Sequence, residues 1–246
     1  MEDIRKNLET VRAQISEAAE IAGRKSEDVI LVAVSKTRTP EEVNTAIDAG
    51  VTDIGENKVQ EIMDKYDDIK PVRWHMIGHL QTNKVKYIID KVDMIHSVDS
   101  VKLAKEIDKR AKAAGKTMDI LVQINPAEEE SKFGVTIDGA GDLVREILAN
   151  FENIRIKGLM SVAPIVDDPR DVKPFFDAVK AKYDELAQID DPKLDFEYLS
   201  MGMSHDFAVA IEAGSNLVRV GSAIFGERDY VQYRKDQEAK KNGNVQ

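Results

Sequence analysis

The chain has 246 residues, of which 42% are apolar and 33% charged, with no cysteine and a formal net charge of -10. This length and mix suit one large soluble domain. They exclude disulfides, thiolate metal sites and cysteine nucleophiles, and the acidic balance argues against a broad nucleic-acid or anionic-membrane surface. No apolar run approaches the roughly 20 residues of a membrane span, and the charged start MEDIRKNLETVRAQI lacks a secretory core, so a cytoplasmic protein is expected.

Residues 4–22 set Ile4, Leu8, Val11, Ile15, Ala18 and Ala22 at three- and four-residue steps, which predicts a helix ending near Gly23. Eight β-branched runs then alternate with helical patterns: ILVAVS (30–35), TDIGE (52–56), RWHMIG (73–78), DMIHSV (93–98), DILVQIN (119–125), IRIKGLMSV (154–162), EYLSMG (197–202) and LVRVGS (217–222). Between the first two, Thr39-Pro40-Glu41-Glu42 supplies an N-cap, a first-turn proline and a capping-box glutamate, and Gly50 stops the helix. Ser100 opens a later stripe of Ala104, Ile107 and Ala111, and Phe175, Val179, Tyr183 and Leu186 mark another.

Eight strand-helix units predict a single α/β domain, a (β/α)8 TIM barrel with an extra N-terminal helix, over residues 1–235, followed by a polar tail, 236–246. No GxGxxG or GxxxxGK[ST] follows a strand, which argues against an open dinucleotide-binding sheet.

In a barrel, function gathers at the carboxyl ends of the strands. Lys36 sits there and shares its pleat parity with Val32 and Val34, so its amine should face the interior, where burial favours the neutral, nucleophilic form. Position alone does not separate this from a solvated lysine. Arg219 interrupts an apolar strand and must find acceptors, either a structural carboxylate or a ligand. SMGMS (200–204) and VGSAIFG (220–226) suit an anion cradle at the last two strands. His75 and His96, inside strands, read as structural histidines rather than zinc ligands, and no metal site is expected. His79 is better placed, at a strand end, whereas His205 reads as a surface residue.

The segments AVSKTRT (33–39), DIGENKVQE (53–61), WHMIGHLQTNK (74–84), HSVDS (96–100), LMSVAP (159–164), LSMGMSHDF (199–207) and VRVGSAIFGERDY (218–230) resemble, in order, the YggS/PROSC-type pyridoxal phosphate homeostasis proteins. The resemblance implies a barrel like the amino-terminal domain of alanine racemase, with pyridoxal 5'-phosphate (PLP) held as an internal aldimine on Lys36. It also implies phosphate contacts from Ser200, Ser204, Gly221 and Ser222, Arg219 at the pyridine nitrogen, and Asn57, His79, Met160 and Met201 lining the cofactor. Lys58 and His79 depart from the family pattern, which often has an aromatic residue after Gly-Glu-Asn and proline after Ile-Gly.

An arginine at that nitrogen weakens the cofactor as an electron sink, and the chain has no second domain to bring the tyrosine base of a racemase. The resemblance therefore implies a monomeric carrier or buffer in intracellular vitamin B6 homeostasis, with apo PLP-dependent enzymes as partners and no catalytic residue. The alternatives are a PLP-dependent racemase or lyase using the same lysine, and a cofactor-free Schiff-base aldolase.

Overall fold

In the computed structural model, which describes residues 1–227, eight parallel strands close into a barrel in sequence order. They are β1 (Ile30–Val34), β2 (Asp53–Glu56), β3 (Arg73–Met76), β4 (Met94–Val98), β5 (Met118–Ile124), β6 (Ile154–Ser161), β7 (Leu194–Ser200) and β8 (Leu217–Val220). β8 returns to β1 with Leu31 opposite Val218 and Val32 opposite Arg219. The eight runs predicted from the sequence are these eight strands, although β7 starts three residues earlier than its apolar core suggests. The expected end of the domain and the tail 236–246 lie outside the described residues.

The strands are apolar on both faces because each is covered twice. Ala33, Ile54, Ile95, Leu159 and Leu199 belong to the large core beneath the helices, whereas Val32, Met94, Leu121, Met160, Tyr198 and Leu217 form a separate cluster inside the barrel. The helices are α1 (Glu2–Ile21), α2 (Pro40–Asp48), α3 (Val59–Lys65), α4 (Val101–Ala113), α5 (Gly139–Asn150), α6 (Lys173–Leu186), α7 (Phe207–Glu212) and α8 (Ser222–Phe225). The extra helix α1 buries its predicted stripe against α7 and α8, and Asn7 Nδ2 donates to the Ile224 carbonyl at 3.0 Å. It thus seals the outside of the seam where β8 meets β1.

At α2 the capping box forms in both directions, Thr39 Oγ1 accepting from the Glu42 N–H at 3.3 Å and Glu42 Oε2 accepting from the Thr39 N–H at 2.8 Å. Gly50 ends this unit at φ +87°, a conformation that favours glycine. The unit between β3 and β4 differs from expectation, since a 3₁₀ stretch, Thr82–Tyr87, stands where an α-helix was predicted. The connection is short, and its buried Val85, Ile88 and Ile89 are β-branched residues with reduced helix preference. In α6 it is Phe176 rather than Phe175 that fills the core completely. Among the described residues no helix is long and apolar enough to cross a membrane.

Candidate functional site

Lys36 follows β1 and is half-buried. Both of its neighbours are pinned from the helix side of the barrel. Ser35 Oγ donates to Glu56 Oε1 at 2.7 Å, the Ser35 carbonyl accepts from Lys65 Nζ at 2.9 Å, and the Thr37 N–H donates to Glu61 Oε2 at 2.6 Å. Thr37 holds φ +65°, a left-handed conformation costing a non-glycine residue about 1–2 kcal/mol, so these bonds hold a turn that the chain would otherwise avoid.

The latch itself is charged. Lys65 Nζ lies 2.8 Å from Glu56 Oε1 and 3.0 Å from Glu61 Oε2, and all three side chains are buried. Burial pushes the Glu56 carboxyl up to about 7, the Lys65 ammonium opposing the rise and the Glu61 carboxylate adding to it. Glu56 Oε2 is enclosed without a hydrogen-bond partner among the described residues, which penalises the ionised form further.

Arg219 projects from β8 into the interior and is 4% exposed. Its two acceptors are neutral: NH1 donates to Ser200 Oγ at 2.6 Å and NH2 to the Ser161 carbonyl at 2.8 Å. Burial brings the guanidinium down to about 10, with the Asp206 carboxylate opposing the fall, so it remains a cation at neutral pH. Of the two sequence alternatives for Arg219, direct pairing with a carboxylate is not what holds it.

Ser200 is fully enclosed, and its oxygen is engaged by Arg219 and, at 3.2 Å, by His96 Nδ1, so it supports the arginine. The parity that turns Ser200 inward sends the Met201 side chain into the core beneath the helices. Met160 is buried inside the barrel opposite Ser200, on the floor beneath the mouth.

Ser204, Gly221 and Ser222 do come together. Ser204 Oγ accepts from the N–H groups of Gly221 at 3.1 Å and Ala223 at 3.3 Å, which leaves its own O–H to donate outward. Ser222 is exposed beside it. Gly202 makes the turn possible, at φ +91° with a Cβ position only 2.7 Å from the Ala210 Cβ. This corner is joined to the Lys36 loop. A Cβ on Gly221 would stand 3.3 Å from Val34, and Arg38 NH2 donates to the Gly226 carbonyl at 2.6 Å.

Asn57 and His79 follow the carboxyl ends of β2 and β3. They line a cavity of about 530 Å³ with Lys58, Gln81, Lys84 and Tyr87, and His79 stacks on Phe133 at 3.7 Å between ring centres. The enclosed polar side-chain atoms that lack partners among the described residues are Glu56 Oε2, Asn57 Oδ1, Ser97 Oγ, Asn125 Oδ1 and Ser161 Oγ. All five sit at or just after the carboxyl ends of strands, on β2, β4, β5 and β6. The buried Arg219 cation, the Ser204 hydroxyl and the unpartnered Asn57 Oδ1 just after β2 fit a polar, anionic group such as pyridoxal phosphate. Among the described residues, no three His, Asp or Glu side chains are grouped to hold a metal.

Sequence reasoning passed over the latch of Glu56, Glu61 and Lys65, which look like surface charges on a short helix. It read His75 and His96 as structural histidines, which they are, without joining them to Asp53, although Asp53, His75 and His96 share interior parity on three adjacent strands, and that was the available signal.

The family described as alanine racemase, N-terminal domain, matches residues 5–229. A pyridoxal phosphate homeostasis protein from Aquifex aeolicus is 42% identical, covering 91% of this chain and 97% of its own. One from Escherichia coli K12 is 36% identical, covering 94% and 99%. The structure of PipY from Synechococcus elongatus, with PLP bound, is 30% identical with a TM-score of 0.78, covering 91% of this chain and all of that one. Alanine racemase of Clostridium difficile, 16% identical with a TM-score of 0.71, shares the fold. The chain belongs to the pyridoxal phosphate homeostasis proteins within the alanine racemase N-terminal domain family.

Proposed function

We propose that this protein holds pyridoxal 5'-phosphate on the Lys36 amine and serves as a carrier or buffer in intracellular vitamin B6 homeostasis. The observation that carries the reading is the closure of β8 on β1. It sets Arg219 opposite Val32 and packs Gly221 on Val34, two residues before Lys36, which supports one mouth shared by the amine, the buried cation and the Ser204 corner. The PLP-bound relative supports the same cofactor.

When bound, the cofactor supplies an aldehyde carbon that exchanges between amines. Lys36 provides the resident amine, oriented by its pinned neighbours. Ser204, Ser222 and the Gly221 backbone would hold the phosphate, with Asn57 and His79 at the rim and Met160 beneath. Arg219, a cation at neutral pH, disfavours a second positive charge on a pyridine nitrogen placed beside it, which works against carbanion chemistry and favours storage and exchange over turnover. The reading treats residues 1–235 as one domain acting as a monomer in the cytoplasm and delivering to apo PLP-dependent enzymes.

The test is the visible spectrum of the protein loaded with PLP, before and after a small primary amine is added, followed by borohydride reduction and peptide mapping. A band that the amine shifts reversibly, and that borohydride fixes on the Lys36 peptide, is expected. An unmodified Lys36 peptide would contradict the proposal.

A further inference from the structure

We infer that His75 and His96, with Asp53 and Ser200, are positioning residues for Arg219, joined to it by a hydrogen-bond wire that crosses the barrel interior and runs in one direction only. The geometry is continuous: Arg219 NH1 to Ser200 Oγ at 2.6 Å, Ser200 Oγ to His96 Nδ1 at 3.2 Å, His96 Nε2 to His75 Nδ1 at 2.9 Å, and His75 Nε2 to Asp53 Oδ1 at 2.8 Å. Every side chain along it is buried.

The direction follows from the inventory of protons. Asp53 stands at the amino end of β2, where Arg73 NH2 approaches it at 2.8 Å and Thr52 Oγ1 donates to it at 2.6 Å. Burial alone would raise its carboxyl, but the bonds from His75 and Thr52 and the neighbouring Arg73 charge outweigh this and hold it below the usual range. An ionised Asp53 only accepts, so His75 Nε2 carries a proton. Burial first, with the Arg219 charge nearby, drives the His96 imidazole well below its ordinary value, and it is neutral with one N–H.

Two arrangements then remain at the histidine pair. If His75 were doubly protonated, its Nδ1–H would donate to His96 Nε2, and His96 would turn its Nδ1–H toward Ser200. Ser200 would then receive two donors, with no acceptor among its described hydrogen bonds for its own proton. If both rings are neutral, each donor meets an acceptor: Arg219 N–H to Ser200 oxygen, Ser200 O–H to His96 Nδ1, His96 Nε2–H to His75 Nδ1, and His75 Nε2–H to Asp53.

The consequence lies at the mouth. Ser200 presents lone pairs to Arg219, fixing the guanidinium in place, while the carboxylate that terminates the wire is kept at the opposite end of the barrel. Layers of a barrel interior are ordinarily filled by branched apolar side chains, and here two imidazoles occupy that space among Met94, Leu121 and Met160. Space filling alone does not require two histidines of matched tautomer.

The role assigned toward the cofactor rests on the PLP-binding reading, so the closing experiment begins with protein free of PLP. Long-range ¹H–¹⁵N correlation spectra of the ¹⁵N-labelled protein at neutral pH should show both His75 and His96 protonated at Nε2 and bare at Nδ1. A His96 protonated at Nδ1, or a His75 protonated at both nitrogens, overturns the wire whatever the protein binds. The second measurement is PLP affinity and the pH midpoint of the bound chromophore in His96→Phe, with folding checked by circular dichroism. The expected result is a loss of affinity of about tenfold, the scale of one buried hydrogen bond, with a displaced midpoint. A folded variant with affinity and midpoint unchanged overturns the positioning role; a variant that does not fold leaves the decision to the tautomers.

Discussion

The Glu56–Lys65–Glu61 latch and the Asp53–His75–His96–Ser200 wire share strand β2 yet occupy opposite faces of it, Glu56 turned toward the helices and Asp53 toward the interior. The latch is a compact set of charges that holds backbone on both sides of Lys36. The wire is a line of largely neutral groups that holds one side chain, Arg219, and keeps its carboxylate far from the mouth. The difference matches what each supports. A strained turn needs strong, short-range anchoring, whereas a cation that must stay uncompensated needs partners without charge.

If that contrast is right, breaking the latch costs more than breaking the wire. Lys65→Met leaves buried carboxylates without their cation and should destabilise the protein by about 3–5 kcal/mol in urea unfolding; a loss below about 1 kcal/mol would mean that the cluster is not a latch. Ser200→Ala leaves an Arg219 N–H and His96 Nδ1 unpaired, for an expected cost of about 1–3 kcal/mol by the same measurement. Equal losses in the two variants would erase the distinction.

The latch should also be visible in pH. The Glu56 carboxyl is raised in the folded protein, which therefore binds this proton more tightly than the unfolded chain does. That contribution is fully present below about 4.5 and is lost as pH rises through about 7. Glu56→Gln should flatten the thermal stability profile across this window, and an unchanged slope would place the titration elsewhere. The smallest effect is at the edge of the Lys36 loop, where Thr39→Ala removes the side-chain cap of α2 and should cost about 1 kcal/mol, read from the urea midpoint.

Local patterns were legible and lateral ones were not. The alternation of apolar runs with capped helices was enough to place eight strands, because it depends on neighbours in the chain. The surroundings of Ser200, Met201, His75 and His96 were not legible, because they depend on which strand lies beside which, and in what register. Ser200 looks like half of an anion motif in SMGMS until β7 is set beside β8, when its oxygen proves to be spent on Arg219. Lys65 reads as a last-turn helix charge until α3 is packed over β1 and β2. The 3₁₀ segment after β3 was missed for a different reason, since its apolar spacing also suits an α-helix and only the short span between strands decides.

The central claim is that Lys36 holds the cofactor while Arg219 keeps it from acting as an electron sink. It is tested most directly by incubating the PLP-loaded protein in deuterium oxide with a panel of L-amino acids and following the α-proton by NMR. The account predicts no α-deuteration beyond the amount of protein present. Sustained exchange over many equivalents of any one amino acid would show turnover on Lys36 and contradict it.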